Sequence, residues 1–452
     1  MNIAPAQFGF TRLALSAAMG LAWAASVQAQ SLVELYESAR GFDANYLSAK
    51  LQYDANLARA EQARAGMRPT ANLTAGANYT QQDAGPASTA AARALNRGYD
   101  TQTLGATASQ PLYRPANQAA YDQAAKQEEL AKAQLEVAEQ DLILRTTQAY
   151  FDVLAAQDNL AAVQGQRTAV SEQLAAAKRR FEVGTSTIVD TRQAQAAFDR
   201  IQAAQIQAEN DLAIRRLALD QLVGRSGTRP LPLAVPVRLA PLPGDVGQWV
   251  EKAETSHPSL RSAQSNLEIA QLEVVRAQAG HKPTVDATAS QTFSRTPNGT
   301  ASSATTNRSS VTTVGVSLNF PLFSGYATQN RIRETLALGD KARSDLESVK
   351  RTVAQATRSA FFNLSSGFSR VKALEAAEVS AQSLVDSTRL GYQVGVTINL
   401  DVLDAQSQLF QTRRDLAVAR YDVLVGSLRL KQASGVLEPT DLQSINGALR
   451  KP

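Results

Sequence analysis

Two short stretches of the chain alternate apolar and polar side chains. Leu73, Ala75, Ala77 and Tyr79 interleave with Asn72, Thr74, Gly76, Asn78 and Thr80, and Leu104, Ala106 and Ala108 interleave with Thr103, Gly105, Thr107 and Ser109. This alternation predicts two strands, each with one apolar and one polar face. It returns later as Val285, Ala287 and Ala289, then as Val314, Val316, Leu318 and Phe320 against Thr313, Gly315, Ser317 and Asn319. Polar loops from Gln81 to Gly98 and from Thr296 to Ser310 are expected to join the strands of each pair. After Pro115 the pattern changes to a helical one that runs to about Arg180, roughly 98 Å at 1.5 Å per residue. Its distal half carries a heptad seam through Val153, Leu160, Val170, Leu174 and Phe181, answered after Gly184 by Phe198, Ile201, Ala208, Leu212 and Leu219. Two such segments are expected to zip as an antiparallel hairpin. A second apolar column, Leu130, Val137, Leu144 and Phe151, predicts helix neighbours on both sides, as in a wall of helices.

The chain is internally duplicated. Val183-Gly184 recurs as Val394-Gly395, Asp190 as Asp401, Ala194-Gln195 as Ala405-Gln406 and Gly224 as Gly435, all 211 residues apart. Pro111-Leu112-Tyr113 returns as Pro321-Leu322-Phe323. Self-similarity of this kind identifies repeated structural units. The expected organisation is a leader at 1–29, a first copy at 30–224, a connector at 225–245, a second copy at 246–435 and a tail at 436–452. Each copy reads helix, β-hairpin (about 70–112 and 284–322), long helix and return helix. Five prolines between Arg225 and Asp245 prevent that joint from being helix interior. The leader has the form of a secretory signal: Arg12, an apolar run from Leu13 to Ala25, and Val27-Gln28-Ala29 as a small-x-small cleavage site.

Export changes what the strands can be. No other stretch is apolar for long enough to be a membrane helix, but alternating strands cross a membrane when closed into a barrel, because open edges are not tolerated in lipid. Four strands do not close, and bacterial barrels start at about eight, so at least two chains are needed; the count alone leaves two and three open. Tyr79, Tyr113, Phe293, Phe320 and Phe323 lie near strand ends, where interfacial aromatics belong. The alternative architecture is a soluble periplasmic coiled-coil scaffold or adaptor without a pore.

Composition narrows the chemistry. The 452 residues contain no Cys and two His, which excludes disulfides, thiolate metal sites and a cysteine nucleophile. No Ser/His/Asp arrangement, phosphate-binding loop or His-x-x-x-His occurs, so neither an enzyme nor a cofactor or metal is expected, and a hydrolase on a helical stalk lacks its catalytic pair. The net charge of +5 arises from 46 basic and 41 acidic residues that are interleaved, which argues against nucleic acid.

Three carboxylates stand out. Asp190 and Asp401 open the return helices, where a negative side chain is favoured by unpaired N–H groups. Asp404, three residues on from Asp401 and on the same helix face, has Gln193 as its repeat counterpart and no such explanation. Around a threefold axis, Asp401 and Asp404 would form a cation-attracting ring.

From about Ser31 to Leu442 the sequence resembles the TolC family of outer-membrane efflux and secretion ducts. The likeness rests on the repeat length, the paired Pro-Leu-Tyr and Pro-Leu-Phe junctions, and Gly391-Tyr392-Gln393-Val394-Gly395 leading into Leu400-Asp401-Val402-Leu403-Asp404-Ala405-Gln406. It implies a homotrimer with one 12-stranded barrel in outer-membrane lipid, four strands per chain, continued by an α-helical tunnel into the periplasm. It also implies a passive exit duct of a tripartite efflux pump or type I secretion system, with a periplasmic adaptor (membrane fusion protein) and an inner-membrane transporter as partners. By the same resemblance Asp401 and Asp404 match the pore constriction, and Tyr392 and Asp190 a gate linkage. The turns Val183-Gly184-Thr185 and Val394-Gly395-Val396 match adaptor-docking tips. One position departs from the family: Thr397 stands where its best-known members carry an Arg in the gate.

Overall fold

The structure is a computed structural model that describes residues 30–82, 97–234, 244–300 and 303–450. The expected leader, residues 235–243 of the expected connector, and parts of the two expected strand loops lie outside the described residues. The first half forms α1 (Leu32–Phe42), α2 (Ala44–Ala65), β1 (Thr70–Gln82), β2 (Arg97–Tyr113), α3 (Pro115–Glu182) and α4 (Ile188–Val223). The second forms α5 (Val246–Ser256), α6 (Pro258–Gln278), β3 (Thr284–Thr296), β4 (Asn307–Asn319), α7 (Ala327–Gln393), α8 (Asn399–Ala433) and the short α9 (Asp441–Asn446).

The opening helix of each half, expected as one, is two. The first break falls at Asp43, whose Oδ1 accepts from Tyr46 N at 2.8 Å. Arg145 Nη1 and Nη2 donate to the same carboxylate at 2.8 and 3.0 Å and hold its pKa below the ordinary range. The second break falls at His257, whose Nδ1 accepts from Ser259 N at 3.1 Å. Pro258, which has no N–H to give, opens α6 there.

The chain divides into two compact units, and each half of the sequence contributes to both. One unit holds Ala138–Thr255 and Gln355–Pro452 together with the N-terminal segment. The heptad seams form its core: Leu174 and Ala177 meet Ala194, Val170 meets Ala197 and Ile201, and Leu364 and Val371 meet Leu416, Val423 and Leu430. Tyr36, Tyr150 and Phe151 are fully buried. The Tyr150 hydroxyl donates to Leu231 O at 2.9 Å, and the Tyr421 hydroxyl donates to Asp158 Oδ2 at 2.5 Å. Burial raises the Asp158 pKa despite that hydrogen bond.

The other unit, Ser48–Val137 with Ser256–Ala354, contains a four-stranded antiparallel sheet in the order β1-β2-β3-β4. The register shifts between Pro111 and Tyr113, where the proline has no N–H for the ladder. Both N–H and C=O rows at the outer edges of β1 and β4 have no strand partner among the described residues. Every residue of β1 and β4 is exposed, including the apolar Leu73, Val314, Val316 and Leu318. Arg114 joins the start of α3 to β3, with Nε and Nη2 each 2.7 Å from the Asp286 carboxylate. The helix segments of this unit are tied by Lys126 to Glu268 at 3.1 Å, by Arg331 to Glu273 at 2.7 Å and by Arg261 to Glu136.

The duplicated glycines share one conformation. Gly184, Gly224, Gly395 and Gly435 have φ of 78°, 70°, 82° and 74°, the left-handed region that ends a helix. A Cβ on Gly395 would meet nothing within 4 Å, whereas one on Gly224 would lie 2.4 Å from the Phe42 ring. Gly395→Ala is therefore expected to cost about 1–2 kcal/mol from backbone strain alone, and Gly224→Ala distinctly more. Thermal unfolding in detergent, followed by circular dichroism, checks the order, and equal losses would contradict it.

Candidate functional site at the helix tips

The two tips repeat one chain reversal. At the first, Thr185 N donates to Arg180 O at 2.8 Å across Gly184; at the second, Val396 N donates to Gly391 O at 2.8 Å across Gly395. This six-residue closure satisfies carbonyls that the end of a helix leaves open. It also pushes apolar side chains into solvent: Val183 is 73% exposed and Val396 80%, and Val394, Ile188 and Ile398 are exposed beside them.

The two aspartates that open the return helices are held differently. Asp190 Oδ2 accepts from Thr187 N at 3.1 Å, from Thr187 Oγ1 at 2.9 Å and from Ser186 Oγ at 2.8 Å, while Thr187 Oγ1 accepts from Asp190 N. These bonds, that from Ser186 foremost, lower its pKa. Asp401 Oδ2 accepts from Ile398 N at 3.2 Å, but an isoleucine side chain returns no bond, so only half the capping box forms. Asp404 is exposed one turn on, on the face of α8 opposite the buried Leu403, Ala405 and Leu409. Leu403 packs with Val170 and Ile201, and Ala405 and Leu409 with Ala381 and Val385, so the hairpins grip α8 on one side and leave Asp401 and Asp404 exposed on the other.

Tyr392 and Asp190 are not hydrogen-bonded to each other. The Asp190 carboxylate is occupied by its own turn, and the buried Tyr392 hydroxyl has no hydrogen-bond partner among the described residues. Instead the Arg180 guanidinium lies 4.4 Å from the centre of the Tyr392 ring, a cation–π contact between the end of α3 and the end of α7. Thr397 Oγ1 donates locally, to Thr388 O at 3.0 Å. A cation thus sits on Tyr392 although the second turn itself supplies none.

Sequence reasoning missed two residues here, Arg180 and Asn399. Asn399 is fully buried, accepts from Gln173 Nε2, and donates through Nδ2 to Asp190 O at 3.4 Å, so it ties the start of α8 to both helices of the first hairpin. A signal was present: its repeat counterpart is the apolar Ile188, and a polar residue buried where its twin is apolar marks a specific contact. Arg180 gave no signal, because a basic residue in the last turn of a helix is ordinary.

No helix among the described residues is long and apolar enough to cross a membrane, while the sheet carries exposed apolar residues on β1 and β4. Residues 35–225 and 249–436 match the family model described as outer membrane efflux protein. The chain belongs to the outer membrane efflux protein family. It is 32% identical to the outer membrane protein TolC of Vibrio cholerae, over 97% of this chain and 98% of that one. It is 28% identical to the proteases secretion protein PrtF of Dickeya chrysanthemi, over 93% and 91%. Among solved structures it superposes on the Campylobacter jejuni CmeC outer membrane channel with a TM-score of 0.77, at 14% identity, covering 100% of this chain and 98% of that one. The four-stranded sheet and the long helices are thus the barrel and tunnel parts of an outer-membrane channel, an exit duct of the efflux and type I secretion class.

The lowered pKa of Asp190 sets a pH dependence. Its hydrogen bonds contribute stability above the ordinary carboxyl value of 3.8, and the contribution is lost as pH falls below it. Protection of the amides at residues 187–191, relative to their intrinsic exchange rates, is expected to be high at neutral pH and to fall as pH drops below that value, while Asp190→Ala is expected to lower it about fivefold at neutral pH, equivalent to about 1 kcal/mol of capping, and to match the unaltered protein once the carboxyl is protonated. Unchanged exchange in the variant would remove the cap from the tip's stability.

Proposed function

We propose that three copies of this chain close one 12-stranded barrel and form a passive exit duct for small toxic molecules or unfolded secreted proteins. An inner-membrane transporter drives the duct and a periplasmic adaptor docks on its tips. The observation that carries the closure is the open sheet: among the described residues β1 and β4 each offer an unpaired edge, and their apolar residues have no covering layer. Only further copies can satisfy both needs in lipid. Exposed Ile206, Leu217, Leu336, Phe362 and Val379 along the helices support the same assembly, because a monomer seldom leaves such surface bare. The exposed Val183, Val394 and Val396, with Gly184, Thr185 and Gly395, support an apolar docking surface for the adaptor.

Asp401 and Asp404 form the constriction, six carboxylates around the axis in a trimer, which favours cations and narrows the mouth. In planar bilayers Asp401→Asn with Asp404→Asn is expected to bring the cation-to-anion permeability ratio toward unity while the conductance persists. A ratio equal to that of the unaltered protein would refute the ring.

The closed state is held by Arg180 on the Tyr392 ring, the Asn399 tie and the Asp190 turn, in place of a turn arginine. A cation–π contact at a partly exposed site is worth about 0.5–1 kcal/mol. Arg180→Gln is accordingly expected to raise the open probability about two- to fivefold, whereas Tyr392→Phe, which keeps the ring and removes only an unpaired hydroxyl, leaves gating nearly unchanged. Single-channel recording separates the two, and the reverse order would show that the hydroxyl, through Asp190, holds the gate.

A further inference from the structure

A pair of arginines on the sheet has no part in the duct or its gate. Arg295 on β3 and Arg308 on β4 are directly opposed across the strands. Like charges in that relation repel, and among the described residues neither guanidinium has an ion pair or hydrogen bond. Asp100, the carboxylate further out on the same face of β2, accepts instead from Asn298 Nδ2 at 2.9 Å. The strand parity places both arginines on the apolar face: Arg295 shares its side with Val285, Ala287, Ala289 and Phe293, and Arg308 shares its side with Val314, Val316 and Leu318.

Their height along the strands is specific. Phe293 opposes Leu104 on β2 and Ser310 on β4, and the arginines stand one step beyond that row, towards the hairpin loops and away from the starts of α3 and α7. There they rim a shallow hollow of about 390 Å³ whose apolar part is Leu104 and Phe293 and whose polar part includes Gln102 and Ser310. Arginine on the lipid face of a barrel is costly at mid-membrane and tolerated only near the headgroups. Two planar guanidinium forks side by side match the oxygens of a phosphate, and the apolar row beneath them matches an acyl chain.

We propose that Arg295 and Arg308 bind the phosphorylated headgroup of an outer-leaflet lipid, with its chain lying along Leu104 and Phe293. This rests on the reading of the apolar face as the lipid-facing wall of the barrel. Bound phosphate relieves the repulsion between the two cations and fixes the β3–β4 hairpin at the outer surface.

Full-length protein is titrated in detergent with fluorescent lipid A, with dephosphorylated lipid A and with inorganic phosphate as competitor, and each variant is also recorded in planar bilayers. Arg295→Gln with Arg308→Gln is expected to weaken lipid A binding about tenfold, and removal of the lipid's phosphates to weaken binding to the unaltered protein by a similar factor. Arg295→Lys with Arg308→Lys, which retains charge without the fork, is expected to fall between and carries the test if the glutamine variant does not form channels. Equal lipid A affinity in channel-forming Gln or Lys variants, equal affinity for the dephosphorylated lipid, or full displacement by equimolar inorganic phosphate would overturn the lipid site. Absence of conductance from the unaltered protein would overturn the barrel reading, and the lipid site with it.

Discussion

An antiparallel sheet with one apolar face, no layer over it and two open edges cannot rest in water, and this constraint governs the rest of the molecule. Among the described residues nothing covers the side chains of Leu73, Val314, Val316 and Leu318, and nothing pairs the outer edges of β1 and β4. In the proposed assembly lipid covers the face and further copies pair the edges. From that follows a wall assembled from repeated parts, and with it helices that leave apolar residues such as Ile206 and Val379 exposed on a single chain. The wall's own polar features obey the same geometry: Arg114 and Asp286 clamp the end of the sheet nearest α3, whereas Arg295 and Arg308 stand near the end with the loops.

At the tips the same economy of repetition is broken deliberately. Both turns close by the same bond across a left-handed glycine, yet the residues around them diverge. The first turn has a complete capping box on Asp190 and Thr187; the second, with Ile398 in the cap position, has half of one. Asp401, which keeps only the bond from Ile398 N, and its neighbour Asp404 are exposed, and Asn399 and Arg180 on Tyr392 add contacts that the first turn does not have. In the proposed gate the contacts between hairpins are individually weak, as a cation–π contact and an amide pair are.

Much of this was legible in the residues alone. The alternation at Leu73 to Tyr79 and its later copies placed the strands, the heptad seams placed the packed faces of α3 and α4, and the offset between Gly184 and Gly395 located both tips. Such features are visible because they are local: a strand's parity, a helix's stripe and a glycine's left-handed turn are each set by a few neighbouring residues. The breaks at Asp43 and His257 were missed because one depends on Arg145, about a hundred positions away, and the other on a histidine acting as an unusual cap.

The sequence by itself determined the duplicated framework, the strands with a single apolar face and the acidic start of α8, since each follows from spacing and side-chain type. Only the tertiary structure decided that Arg180 rather than Asp190 meets Tyr392, that Asn399 ties two hairpins, and that Arg295 and Arg308 stand opposed. Those contacts join positions from 13 to more than 200 residues apart, and strand register and helix packing, which no local pattern encodes, bring them together.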